Sequence, residues 1–131
     1  MKIEVSFGEV LDKISILEIK LEKITDKKQY DNVKKEYDSL VTEVKASDLA
    51  KWLDADLYCQ LLKVNHLLWQ IEDDIRKKEY YQQFDDDFIK LARRVYILND
   101  ARASIKRNIN IETRSSLIEE KYYFNYESEG K

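Results

Sequence analysis

The fold class is decided by a stretch near the amino terminus, FGEVLDKISILEIKLEKI, which covers residues 7–24. Its apolar residues recur at alternating steps of three and four, which places them on one side of an α-helix. This spacing is typical of helices that pack along their length, as in coiled coils. Ser6 and Glu9 have the spacing of a capping box, so the helix is predicted to begin here. The apolar seam is Phe7, Val10, Ile14, Leu17, Leu21 and Ile24.

A second helix follows after a break in register at Thr25 and Asp26, which are residues typical of helix caps. The break predicts a turn, so the first two helices should form an antiparallel hairpin. The seam of the second helix is Tyr30, Val33, Tyr37, Leu40 and Val44.

Two more long helices and a short one are predicted downstream. Ser47 and Asp48 offer a cap for a third helix, whose apolar face is broad enough to contact more than one partner. Asp85 caps a fourth helix, which should form a second hairpin with the third. Ser116 and Glu119 repeat the capping-box spacing, which predicts a short C-terminal helix.

Composition supports one all-α domain over residues 1–131. The chain is 44% hydrophobic and 37% charged, with no proline and only two glycines. Tight β-turns depend on glycine or asparagine, so hairpin-rich β structure is disfavoured. We therefore predict an antiparallel bundle of four main helices, arranged as two helical hairpins, plus the short C-terminal helix.

The net charge and the cysteine content limit the class of binding partner and the cellular compartment that the sequence predicts. A net charge of −3 argues against indiscriminate binding to nucleic acid or to an anionic membrane. No apolar run reaches the length of about 20 residues that spans a bilayer, and the first residues lack a signal-peptide pattern. The single cysteine, Cys59, is flanked by leucines and is predicted to be a buried thiol in a reducing cytoplasm.

The apolar seam of the fourth helix is interrupted by Asn99, Asp100 and Arg102. A guanidinium in such a position must reach solvent, pair with a carboxylate or bind an anion. Three interpretations remain open: a buried structural network, a dimer register fixed by Asn99, and a ligand site. In the last of these, Asn99, Arg102 and Lys106 would hold the anion.

The third helix ends in acidic residues that would lie near the fourth helix in a hairpin. One interpretation is ordinary ion pairing, such as Glu72 with Arg76. The alternative is that Glu72 or Asp73 performs acid–base work or carries magnesium. No catalytic residue and no metal ligand is assigned. The candidate binding residues are Glu72, Asp73, Arg76, Arg94, Asn99, Asp100, Arg102 and Lys106.

Two further chemistries are only partly matched. Residues 90–114 contain seven basic and two acidic residues, a surface that could contact phosphates, but no nucleic-acid fold signature accompanies them. Glu9-x-x-Asp12 has the spacing of a metal-binding carboxylate pair, but the second pair that helical magnesium enzymes need is missing.

Three segments carry a resemblance to a known family. They are LDKISILEIKLEKI (residues 11–24), LWQIEDDIRKKE (68–79) and LARRVYILNDARASIKRNIN (91–110). They resemble an uncharacterised family of small bacterial and phage proteins, some encoded near surface-polysaccharide genes. The resemblance implies a helical fold and no particular activity. Asn99, Asp100 and Arg102 are also similar to residues of helical chorismate mutases, but the cationic set around the substrate is not recognisable.

The sequence thus favours a non-enzymatic module for protein–protein interaction or assembly, because dense helical seams occur without a complete catalytic set. The expected partner is a second copy, as a homodimer, or another protein, rather than a membrane or a nucleic acid. No cofactor is expected. The alternative is a small helical enzyme or binder of an anionic or phosphorylated metabolite, for which magnesium would be the cofactor.

Overall fold

The structure, a computed structural model, describes residues 1–127 and contains four α-helices and one 3-10 helix. Within this part of the chain no strand is formed, so the predicted all-α bundle of four main helices is confirmed. The elements are α1 (Phe7–Lys23), α2 (Lys27–Lys45), the 3-10 helix (Ala50–Asp54), α3 (Asp56–Tyr80) and α4 (Asp86–Glu112).

Three predicted helix starts are confirmed by side-chain caps. Ser6 Oγ accepts a hydrogen bond from the Glu9 backbone N–H at 3.2 Å at the start of α1. Asp26 caps α2 and Asp85 caps α4 in the same way. Each cap satisfies a backbone donor that has no partner inside the helix.

The predicted start of the third helix at Ser47 is wrong. Ser47 Oγ donates to the Val44 carbonyl at 2.6 Å and accepts from the Leu49 N–H, so it closes α2 instead. The chain then makes the 3-10 helix and an extended residue, Ala55, before α3 begins. The 3-10 turn directs Trp52 toward the core, where it packs as a partly buried residue.

The short helix predicted at Ser116 is also wrong, since no helix follows Glu112 in the described residues. The chain reverses there because Arg114 adopts a left-handed conformation, with φ of 54°. Ser115 N donates to the Asn110 carbonyl and Arg114 N donates to the Ile111 carbonyl, the two bonds of a Schellman motif. Residues 115–127, which we call the tail, then run back along α4.

The core lies around α1, which packs against α2, α3 and α4, while α3 and α4 form the most extensive helix pair. Of the α2 residues only Val44 is buried, so α2 covers one side of α1 rather than entering the centre. The buried cluster of the core is Leu11, Ile14, Val44, Tyr58, Leu61, Val64 and Ile109.

Two other expectations concern single features. Cys59 is exposed rather than buried, because it lies on the outer side of α3. None of the helices within residues 1–127 is both long and apolar enough to cross a bilayer.

Candidate functional site

A buried polar network lies where α1 meets α3 and α4. Gly8, Asp12 and Ser15 fall on one side of α1 and are buried. They face Asn65 of α3 and Lys106 of α4, which are buried as well. Buried polar groups persist only when they find hydrogen-bond partners, so this network fixes how the three helices fit together.

Asp12 is the centre of the network and is almost fully buried. Arg102 donates two hydrogen bonds to its carboxylate, one from Nε at 2.8 Å and one from Nη2. Asn65 Nδ2 donates to the same carboxylate at 3.0 Å and to Ser15 Oγ at 2.7 Å. The hydrogen bonds that Arg102 donates to Asp12 raise the pKa of Arg102, which stays a cation.

Lys106 joins the network to the tail. Its Nζ lies 2.7 Å from Glu9 Oε2, 3.2 Å from Glu119 Oε1 and 4.0 Å from Asp12 Oδ2. Burial alone would lower the pKa of Lys106, but these carboxylates raise it above its usual value. Three carboxylates therefore surround two cations, Lys106 and Arg102, so the positive charges of the cluster are already compensated.

The close approach of α1 to α4 occurs at Gly8. Its N–H donates to Asn110 Oδ1 at 2.6 Å. A Cβ atom at Gly8 would lie 2.6 Å from the Lys106 carbonyl oxygen and 2.8 Å from Asn110 Oδ1. Only glycine permits this approach. The other end of the amide, Asn110 Nδ2, is buried without a hydrogen-bond partner in the described part of the chain.

The tail and α4 enclose an open groove of about 1420 Å³, which we call the tail groove. Lys121 Nζ binds Asp100 Oδ1 at 2.6 Å, and the Tyr126 hydroxyl donates to Asp100 Oδ2 at 2.9 Å. The hydrogen bond from Lys121 lowers the pKa of Asp100. Loss of solvation and the Asp100 carboxylate raise the pKa of Tyr126 to about 12.

The candidate binding residues divide into two groups. The four from the middle of α4 are brought together along the tail groove: Asn99, Asp100, Arg102 and Lys106. The remaining four lie elsewhere. Glu72 and Arg76 form an exposed ion pair within α3, and Asp73 is exposed. Arg94 lines a separate groove of about 640 Å³ near the α3–α4 turn.

Several residues of the network were not singled out from the sequence. Asn65, Ser15 and Asn110 were missed, and Asp12 was considered only as a partner of Glu9. A signal was present: Gly8, Asp12 and Ser15 recur at steps of four and three beside the apolar seam of α1. A helix with two such stripes has two buried faces, as expected of the central helix of a bundle.

Within residues 1–127, no group of three or more His, Cys, Asp or Glu side chains could hold a metal ion. The arrangement instead supports charge-assisted hydrogen bonds between helices.

Comparison with known proteins places the chain in a family. No curated protein and no solved structure is significantly similar to it. The model of a family described as a family of unknown function, DUF6165, matches residues 1–129. The match covers almost the whole chain, and it confirms the uncharacterised family expected from the sequence. The chain belongs to DUF6165.

Proposed function

We propose that the protein is a non-enzymatic helical assembly module that associates with itself through the outer face of α4. This face carries Ile89, Tyr96, Ile97 and Ile111, which fall within an arc of about 100° on the helix. The same arc also contains the polar residues Asp86, Arg93, Asp100, Ser104 and Arg107. Their exposed fractions lie between 44% and 54%. Large apolar side chains clustered on one partly exposed face are typical of a surface that binds another protein. This alignment is the observation that carries the proposal.

The total surface of the chain supports the same function. Its accessible surface is 9612 Å², whereas a compact monomer of 15.7 kDa exposes about 7,300 Å². A stable interface of ordinary size covers about 800 Å² on each partner. Self-association could therefore cover a full interface and still leave the chain well solvated.

The polar network supports a structural role for Arg102 and Lys106, which one interpretation of the sequence assigned to an anion site. Arg102 donates two hydrogen bonds to Asp12, and Lys106 is held by carboxylates from α1 and the tail. These contacts fix α4 against α1 and so orient its outer face.

We expect the wild-type chain to sediment as a dimer across the micromolar range, and the variants Ile97→Glu and Ile111→Glu to sediment as monomers. A buried glutamate without a partner opposes association, while the same side chain is solvated in the monomer. Analytical ultracentrifugation measures the change. Tyr30→Glu on α2 is the matched control, since Tyr30 is 37% exposed and should leave the dimer intact. A wild-type chain that stays monomeric at every concentration contradicts the proposal.

A second candidate, a binder or small enzyme for an anionic or phosphorylated metabolite, is favoured by one observation. Asn110 Nδ2 is a buried donor without an acceptor in the described residues, and Asn110 lines the tail groove beside Lys106. Magnesium would enter such a site only together with the ligand's own oxygens.

For the assembly module we expect sugar phosphates and nucleotides, with or without magnesium, to leave the melting temperature unchanged within about 1 °C. The reason is that Lys106 and Arg102 are already paired with carboxylates. Thermal shift measures this directly. A rise of several degrees that disappears in Asn99→Ala, at the rim of the groove, would favour the second candidate.

The proposal includes a cytoplasmic location and a bacterial or phage origin. Cys59 is a free, exposed thiol, which fits a reducing cytoplasm. A bacterial or phage source remains a prediction from the resemblance of the sequence.

A further inference from the structure

We infer that the tail of one copy docks in the tail groove of a second copy, so that two chains exchange tails. The inference rests on the proposed self-association and names the contact that produces it. The chain's own tail forms one wall of this groove and pairs with the α4 wall, so the contacts that a second copy's tail would make with α4 are already visible in the structure. A second copy carries an identical tail and an identical groove, so every contact made within one chain can form between two.

The tail and α4 are complementary in charge along their length. Glu119 contacts Lys106, and Glu120 contacts Arg107. Further along, the sign reverses on both sides, because Lys121 binds Asp100 of α4. The charges on α4 therefore match an extended segment that has two adjacent carboxylates followed by a cation. The tail has this sequence.

Docking within one chain leaves the tail incompletely covered. Most of its ion pairs are exposed to solvent on both sides, and exposed pairs contribute little to stability. The aromatic side chains of Tyr122, Tyr123 and Phe124 are almost wholly exposed. A segment held this weakly can leave its own groove and enter another of equal affinity.

The junction between α4 and the tail has the character of a hinge. Arg114 holds a left-handed backbone conformation that residues with a Cβ disfavour. The chain reverses at this single residue, so a change in its backbone angles swings the whole tail away from α4.

The tail groove is continuous with the outer face of α4. Tyr96 belongs to that face, and its ring packs against Tyr126 of the tail with centroids 5.2 Å apart. Two copies that meet through α4 would bring each tail beside the partner's groove. The exposed aromatic residues of the tail would then lie between the two copies, where they become buried.

Charge reversal on opposite sides of the contact tests the exchange. The tail variant carries Glu120→Arg and Lys121→Glu, and the groove variant carries Arg107→Glu and Asp100→Lys. These side chains are exposed, so the fold should tolerate their replacement. Each variant alone should lose at least nine-tenths of its dimer. An equimolar mixture should form heterodimers, detected by native mass spectrometry, because the reversed tail fits the reversed groove.

A single chain that combines all four substitutions is the matched control and should dimerise like the wild type. A wild-type dimer with no heterodimer in the mixture overturns the exchange and leaves association through α4 standing. A wild-type monomer overturns both proposals.

A disulfide provides a second measurement. In a Cys59→Ser background, Tyr96→Cys and Tyr126→Cys place two thiols at the groove contact. Exchange predicts a covalent dimer on a non-reducing gel after mild oxidation. A covalent monomer as the main product, from a sample that sediments as a dimer, would show that the tail stays in its own groove.

Discussion

Replacing Gly8 with alanine should lower the free energy of unfolding by about 2–4 kcal/mol, although alanine is the better helix former. The new Cβ would lie 2.6 Å from the Lys106 carbonyl oxygen, which is backbone and cannot rotate away. Separating the helices to relieve the clash would weaken the bond from the Gly8 N–H to Asn110 Oδ1. The Asn110 side-chain amide would then lose the hydrogen bond at its oxygen, while its nitrogen Nδ2 is already unpaired in the described residues.

Urea denaturation followed by circular dichroism measures the effect. The matched control is Ser39→Ala, at an exposed position inside α2, where alanine should add a few tenths of a kcal/mol through helix propensity. If Gly8→Ala stabilises the protein as Ser39→Ala does, the close approach of α1 to α4 is not a requirement of the fold.

Replacing Asp12 with alanine should cost about 3–5 kcal/mol, which is the range for breaking a buried ion pair from one side. Arg102 would keep its charge in a half-buried position without the carboxylate that grips it, and Asn65 would lose an acceptor. The same denaturation experiment measures the loss. Asp31→Ala is the control, because Asp31 forms an exposed pair with Lys27 and should cost at most about 0.5 kcal/mol.

A double variant separates two quantities: the destabilisation caused by an unpaired Arg102 and the net contribution of the Asp12–Arg102 ion pair to stability. Asp12→Leu with Arg102→Met removes both charges and keeps similar volume, so it should recover most of the stability lost in Asp12→Ala. No recovery would mean that the directional hydrogen bonds of the network hold α1 against α4 in a way that apolar packing cannot replace.

Most of the fold follows from local sequence signals. Ser6, Asp26 and Asp85 each cap a helix at the predicted position, because a cap depends on residues within one turn. The apolar seams predict the four long helices for the same reason, since periodicity is a property of one segment. The two hairpins then follow from the short connections between their helices.

The errors arose where a local signal competed with tertiary contacts. Ser47 and Ser116 both have the chemistry of a helix cap, but neither starts a helix. Ser47 closes α2, and Ser116 donates to Glu4 at 2.8 Å. A short isolated helix is marginal on its own, and this segment instead runs along α4, where Glu119 and Glu120 pair with Lys106 and Arg107.

The candidate site was predicted in part. Arg102 was recognised as out of place in its seam, and a buried structural network was among the interpretations. Its partner Asp12 lies 90 residues away, and no periodicity relates two positions so far apart. Which carboxylate Arg102 meets is decided by the order in which the helices pack, and a single sequence does not contain that order in readable form.

The contacts between α1 and the end of α4 have a consequence for synthesis on the ribosome. They join residues that are 102 positions apart at Gly8 and Asn110, and 108 positions apart at Phe7 and Ser115. At roughly 5–20 residues per second, α1 leaves the ribosome roughly 5–20 seconds before these partners exist. The first hairpin can assemble early through its apolar seam, while Asp12 stays hydrated. Closure of the polar network therefore has to wait until α4 has been made.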